Sequence, residues 1–545
     1  MTSHKYNSLD NTTLALWGIT AFALLFWAYS QVQLGTNTNI TWLEIAARRF
    51  LEGGTAENNF YETNPPLSLL VYIPLVGLQT LPFISLHTGI LIYGILLCLL
   101  SAGALAWILR HIPGLHTTTK HIFLLSYIFA VTLLPGYYFA DREHLMMLGL
   151  MPMAVYLYGL TVRGMPDNAM PALARFIVLG ISGIFILIKP QFLLIPALFF
   201  IARLRQTGSA RCILETPFLI LGLVTILYFG LTYLVFPTYI HTILPDVLEF
   251  YIGYIAERNV TPIALALGVI LFLIALAALS TRPRDPSLIW ALIAGGLAGI
   301  LSFVVQNKGF YYHILPVFIF LVPAMALILQ SFLESLKSAH QQTAIITVSI
   351  ALLLTAGFHK DFFSRALYPA YYTPADTLES RTWPGHDDVN TSELVELVRE
   401  HAANGSYYMA ASMPMAITPA AYTTAEYASR FPAVWFLPYL VNAAATDSLP
   451  EKEIQAHQKR YVKMVAEDFA KYKPDLVIIG DFVYSPNQSA DFSYINWLKA
   501  APEFSKQWQN YEKLERLELF SANYYRGFQY GNRRISNAYD IYVRK

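Results

Sequence analysis

Between Asn39 and Leu67 the chain reads N-I-T-W-L-E-I-A-A-R-R-F-L-E-G-G-T-A-E-N-N-F-Y-E-T-N-P-P-L, an acidic and aromatic stretch with apolar sequence on either side. Its first half has helical spacing, and it stops at Asn64-Pro65-Pro66. A second polar island, Ala140-Asp141-Arg142-Glu143-His144-Leu145, interrupts apolar sequence further on. Carboxylates at a membrane surface are expensive unless water, a partner or a substrate takes them up, so two such islands point to a site at the lipid–water boundary.

Outward from these islands the chain is that of a membrane protein. Of its 545 residues 55% are hydrophobic and only 13% are charged, against about 25% charged in a soluble protein. Apolar windows long enough to cross a bilayer recur from Leu14 to about Phe358. The net charge of +1 implies no broad basic face and no nucleic-acid partner. Cys98 and Cys212 both lie in or beside apolar segments, which argues against a disulfide framework or a thiolate metal site. Leu14 to Val32 is bulky and lacks a small-residue cleavage site, so it reads as an uncleaved anchor.

Lys and Arg gather at 110–120, 163–175, 203–211, 282–284 and 337, which the positive-inside tendency places in the cytoplasm. Residues 34–66, 141–144, 189–190, 237–259, 307–312 and everything after Phe358 then fall outside. The alternation holds except between Pro66 and Arg110. There Leu67–Phe83, short and containing Pro74 and Pro82, reads as an incomplete or re-entrant element, giving about eleven spans. Two full crossings there would turn residues 110–120 outward against the charge rule. The expectation is a polytopic α-helical membrane protein over residues 1–358, its N-terminus inside, with residues 359–545 as an extracytoplasmic α/β domain. In that domain Ser392–His401 and Glu451–Tyr472 read as helices, Ser406–Met409 as a strand, and Leu476–Gly480 as a buried strand between breakers.

The polar residues divide into candidate groups. Glu44 lies four residues before Arg48, a spacing that permits a surface ion pair; the functional reading makes Glu44 or Glu62 a general base or metal ligand facing a cavity. Asp141 suits the N-cap of a helix opening at Arg142, with Glu143 favoured by the helix dipole, yet four consecutive ionisable groups exceed what a cap needs. Asp141, Glu143 and His144 together can hold a divalent cation such as magnesium, manganese or calcium. Lys189-Pro190 follows an apolar run, and an N-terminal proline beside an ammonium suits a phosphate cradle, although a snorkelling lysine has the same sequence. Lys308-Gly309, with Tyr312 and His313, suits recognition of a phosphate and a sugar ring, or else an interfacial aromatic belt. Arg430, near Trp435, adds a weaker cationic candidate.

Taken together, Tyr61-Glu62-Thr63-Asn64-Pro65-Pro66-Leu67, Asp141-Arg142-Glu143-His144-Leu145, Lys189-Pro190, Lys308-Gly309 with His313, and Ser429-Arg430-Phe431-Pro432 resemble the GT-C superfamily of membrane glycosyltransferases, which includes the protein O-mannosyltransferases and the lipid A aminoarabinose transferase, and bacterial GT-C-like proteins more closely. In that superfamily the first outer loop ends in a proline pair and both outer loops carry acidic residues at the active site. The resemblance implies transfer of a sugar from a polyprenyl-phosphate donor to a lipid, glycan or protein acceptor, on the outer face of the bacterial inner membrane. It implies catalytic roles among Glu44, Glu62, Asp141 and Glu143. It implies substrate contacts from Asn64, Arg142, His144, Lys189, Lys308, Tyr312, His313 and Arg430. One departure is that Asn37 and Asn39 stand where the superfamily commonly has an aspartate, leaving Glu44 as the nearest acid. A flippase for a lipid-linked saccharide would also need outward cations and a lipid groove, but charges confined to one face count against transport. A non-catalytic scaffold of envelope assembly is the remaining alternative.

Overall fold

The computed structural model describes residues 17–252, 260–335, 391–480, 492–519 and 537–545, less positions 19, 23, 26, 30, 32–34, 282, 308 and 412. The junction between the apolar part and the C-terminal part, and the expected phosphate-binding Lys308, lie outside the described residues. Two compact units emerge, each assembled from separate stretches of chain: Met1–Gln33, Leu91–Gly230 and Arg258–Leu367 in the first, and Leu34–Ile90, Leu231–Glu257 and Tyr368–Lys545 in the second.

The main helices, in chain order, are α1 (Thr38–Leu51), α2 (Leu86–His111), α3 (Arg142–Val162), α4 (Thr216–Val235), α5 (Val260–Thr281), α6 (Pro286–Gln306), α7 (Leu315–Ser335) and α8 (Glu451–Tyr472). Six of the described helices, α2 to α6 and α7 with its preceding turn, are long and apolar enough to cross a bilayer. The 26 residues of α2 rise about 39 Å, against a hydrocarbon thickness of about 30 Å. α5 exposes Leu265, Phe272 and Leu279, each more than 60% accessible, which suits a lipid-facing surface and would be a liability in water. The chain is therefore read as a multi-pass membrane protein.

Within the first unit α3 is the central helix: every residue from Arg142 to Thr161 is buried. Its Gly149 permits close packing, because a Cβ there would lie 2.6 Å from Phe185 Cβ and 2.8 Å from the Ser182 carbonyl oxygen on the helix Ala172–Ile186.

The second unit holds the first polar loop and the C-terminal sheet. α1 begins at Asn37, whose side chain accepts from the N–H groups of Asn39 and Ile40 at 2.8 and 3.4 Å, the usual use of asparagine at an N-cap. It ends at Glu52, followed by Gly53 at φ 87°, a left-handed position that glycine occupies without penalty. After Pro65-Pro66 come two short helices, Leu67–Leu70 and Ile73–Gln79. Their combined 67–79 stretch rises only about 20 Å, too little to cross a bilayer alone.

Strands β1 (Ser406–Ala410), β2 (Glu426–Tyr427), β3 (Leu476–Gly480), β4 (Tyr511–Leu519) and β5 (Asn537–Arg544) form one sheet in the order β2-β1-β3-β5-β4. β1 runs parallel to both β2 and β3, with Tyr407 opposite Leu476, and the crossover to β3 carries α8, as parallel pairing requires a long connection. β5 is antiparallel to β3 and β4. Leu476 to Ile479 are all buried, which explains the unbroken apolar run of a central strand. The helices and strands expected within 392–480 are present.

Candidate functional site

The second polar island is a built corner. Ala140 sits at φ 63°, a left-handed conformation in a buried non-glycine residue, costing about 1 kcal/mol. Asp141 caps α3, its Oδ1 accepting from Arg142 N–H at 2.7 Å, with Arg142 Nε 3.6 Å away. The Ala140 N–H donates to His144 Nδ1 at 2.8 Å, so Nε2 carries the proton and donates to the Val131 carbonyl at 2.7 Å. The His144 ring packs 4.9 Å from that of Phe139. Gly94 on α2 gives this corner its space: a Cβ there would lie 2.4 Å from Phe139 Cε1 and 3.2 Å from Ala140 Cβ.

His144 is thus engaged through both ring nitrogens with backbone. Asp141, Glu143 and His144 do not converge: among the described residues no three His, Cys, Asp or Glu side chains are placed to hold a metal ion.

Glu143 goes elsewhere. Its carboxylate is fully buried, with Oε1 2.9 Å from Lys189 Nζ and 3.4 Å from His313 Nε2. Oε2 has no hydrogen-bond partner among the described residues. Lys189 ends the turn after the helix Ala172–Ile186, and Pro190–Leu193 is a single 3-10 turn rather than the first turn of an α-helix. The ammonium faces the Glu143 carboxylate, and the 3-10 turn leads directly into the helix Leu194–Thr207. His313 lies in the 3-10 turn Tyr311–Ile314 ahead of α7. Aromatic rings flank it: Tyr312 is 4.4 Å from His313, Phe310 stacks on Tyr312 at 5.3 Å, and Tyr138 lies 4.9 Å from Tyr312. Asp141, Arg142, Glu143, Lys189, Tyr312 and His313 thus belong to one unit, and Glu143 directly joins Lys189 to His313.

In the second unit the first polar loop has a different character. Glu44 is buried and holds Arg48 at 3.3 Å, the i,i+4 pair expected from spacing. Burial pushes its carboxyl above the usual range, and Arg48 offsets only part of that. Glu62 is buried with both oxygens engaged: Oε2 accepts from Trp42 Nε1, and Oε1 from the Asn64 N–H at 2.7 Å and the Asn64 carboxamide. Glu62 and Asn64 therefore brace the turn into Pro65-Pro66.

Arg430 is likewise held by protein groups. It is buried and donates through Nε to Asp468 Oδ1 at 2.8 Å, through Nη2 to Glu467 at 3.0 Å and through Nη1 to the Glu57 carbonyl at 3.0 Å, while its own N–H donates to Asp468 Oδ2 at 2.9 Å. Its guanidinium is engaged by Asp468, Glu467 and the loop backbone. Burial raises the Asp468 carboxyl, with Arg430 pulling it back down in part.

Two further tethers escaped the sequence reading. Arg49 donates to the carbonyls of Asn59, Ser429 and Tyr427, the first two at 2.8 and 2.7 Å. Asp246 accepts from Arg460 Nη1 and Nη2 at 2.9 and 2.8 Å, from Tyr461 at 3.0 Å and from Tyr61. Burial and the Asp246 charge hold the Tyr61 and Tyr461 hydroxyls far above their usual range, so both remain donors. Spacing supplied one signal: Arg48 faces Glu44 at i,i+4, so its neighbour Arg49 must point elsewhere.

Fold and site together define a multi-pass, helix-rich membrane protein with a buried carboxylate–ammonium–imidazole cluster and a mixed five-stranded C-terminal sheet. No protein-family model and no curated protein matches the chain. Among solved structures it is similar to ArnT from Cupriavidus metallidurans in the apo state, at 14% identity and a TM-score of 0.47, over 87% of this chain and 94% of that one. It is similar also to the same protein bound to undecaprenyl phosphate, at 12% identity and a TM-score of 0.47, over 98% of each chain.

Proposed function

We propose that the chain is a membrane glycosyltransferase of GT-C type, moving a sugar from a polyprenyl-phosphate donor to a hydroxyl on a lipid, glycan or protein at the outer face of the bacterial inner membrane. The observation that carries this reading is Glu143. A carboxylate buried at the start of an apolar helix is costly unless it serves a site, and this one holds a lysine and a histidine beside a row of aromatic rings while one oxygen has no hydrogen-bond partner among the described residues. Lys189 and Arg142 supply positive charge for a phosphate leaving group, and Tyr138, Tyr312 and Phe310 supply faces for a sugar ring.

The chemistry follows from those roles. The acceptor oxygen attacks the anomeric carbon, the bond from that carbon to the phosphate oxygen breaks, and its electron pair leaves with the lipid phosphate. Lys189 and Arg142 balance the charge that builds there, and Glu143 is a positioning residue that sets Lys189 and His313. A carboxylate takes the acceptor proton. Asp141 and Glu44 are the candidates, because Glu62 spends both oxygens on the proline corner. No step needs a metal ion, although a divalent ion brought in by the donor phosphate is compatible with it.

The test uses purified protein in lipid with labelled polyprenyl-phosphate sugars and an envelope extract as acceptor. Label should move from one donor in wild type and be lost in Lys189→Met. Transfer that survives in both Asp141→Asn and Glu44→Gln would sink the assignment of the base. A chain that moves no label from any donor is not a transferase.

A further inference from the structure

A second polar feature takes no part in that chemistry. In the unit containing the C-terminal sheet, a cleft of about 420 Å³ is lined by Arg49, Glu52, Asn59, Glu426, Lys471 and Tyr472, within the roughly 300–1,000 Å³ of small-molecule sites. Its wall is rigid. Gly54 also lines it and has no room for a side chain, since a Cβ would lie 2.6 Å from the Arg49 carbonyl oxygen and 2.8 Å from Asn59 Cβ. Arg49 is pinned by three carbonyls, as described above, and its guanidinium carbon lies 5.2 Å from the centre of the Tyr472 ring.

The groups left over have a definite chemistry. The Thr55 N–H donates to Asn59 Oδ1 at 3.0 Å, which orients the carboxamide so that Nδ2 is the atom with no hydrogen bond among the described residues. The Glu52 carboxylate makes no hydrogen bond or ion pair among them, and the Glu426 carboxylate has only Arg49, at 3.9 Å. Lys471 donates to the Tyr472 hydroxyl at 2.9 Å. Arg49 and Lys471 balance Glu52 and Glu426, so a ligand gains nothing by carrying net charge. The lining consists of donors and acceptors, so an apolar ligand would strand them. A neutral molecule rich in hydroxyl groups meets both demands, because each hydroxyl can donate to a carboxylate and accept from the amide.

We propose that this cleft binds a sugar unit of a glycan, as a recognition subsite that acts by binding alone. The proposal goes beyond the transferase reading and does not depend on it. The test is saturation-transfer NMR on the full chain in lipid nanodiscs, without any polyprenyl donor, using maltotetraose, chitotetraose and mannotriose as probes and spermidine and inorganic phosphate as charged comparators. At least one neutral oligosaccharide should bind saturably. Glu52→Ala and Glu426→Gln, both at partly or fully exposed side chains whose loss leaves the fold intact, should each weaken it by about tenfold. The proposal is overturned if no oligosaccharide binds, if only spermidine or phosphate binds, or if both variants bind as wild type does. Because no donor is present, failure here leaves the transfer assay to decide the other reading separately.

Discussion

Replacing Arg430 by methionine should destabilise the C-terminal unit severely. The substitution keeps an apolar stem of similar length but removes three side-chain hydrogen bonds, to Asp468, Glu467 and the Glu57 carbonyl. Asp468 is wholly buried and, among the described residues, would retain only the residue 430 N–H as a hydrogen-bond partner. Breaking a buried ion pair from one side costs about 3–5 kcal/mol, because the remaining charge is left in a poorly solvating interior. In a unit of this size that corresponds to a fall in Tm on the order of 10 °C.

The effect should depend on pH in a definite direction. Burial already raises the Asp468 carboxyl and Arg430 holds it back, so losing Arg430 raises it further. A carboxyl raised in the folded state binds a proton there before it does in the unfolded chain. Stability of Arg430→Met should therefore rise as pH falls from about 7 towards the ordinary aspartate range near 4. The double variant with Asp468→Asn keeps an acceptor for the residue 430 N–H and carries no charge. It should recover about 2 kcal/mol of the loss and show little of the pH response. Thermal melts of the full chain in lipid at one scan rate, across pH, measure all of this. If Arg430→Met melts like wild type while transfer collapses, the guanidinium serves the substrate and the structural account is wrong.

Other expectations can be checked on the same preparation. Glu62→Gln places an amide NH2 against either the Trp42 or the Asn64 donor, so it should cost about 1–3 kcal/mol; an unchanged melt with lost transfer would return Glu62 to the chemistry. Gly94→Ala forces a Cβ to within 2.4 Å of Phe139 and should cost about 1–3 kcal/mol by overpacking, read as a lowered Tm; a neutral result would mean that the corner at Ala140 can give way. Asn37→Asp should be nearly neutral and Asn37→Ala should cost about 1 kcal/mol, because Asn37 serves as the cap of α1; equal losses in both would argue for a role of the amide itself.

Much of this was legible before any coordinates. Apolar windows marked the long helices, and breakers around Leu476–Gly480 marked the central strand. The i,i+4 rule paired Glu44 with Arg48. The pattern at Asp141 indicated a helix cap, and the structure has one. Less legible were the fates of individual polar residues. Glu62, Asn64, His144 and Arg430 look like site residues in sequence because they are polar groups in a membrane protein, and sequence alone did not show the hydrogen bonds each makes within the fold.

What the sequence determined by itself is what local physics decides: which segments are apolar enough to leave water, where prolines and glycines end helices, and which residues crowd at a lipid–water boundary. These depend on neighbours within a few positions. Only tertiary structure decided that Glu143 meets Lys189 and His313, that Arg430 meets Asp468, and that Asp246 gathers Tyr61, Arg460 and Tyr461. The charge, donor and acceptor inventory of a chain is compatible with many such pairings. Burial selects among them, because an ionisable side chain removed from water must find its partner wherever packing has placed one.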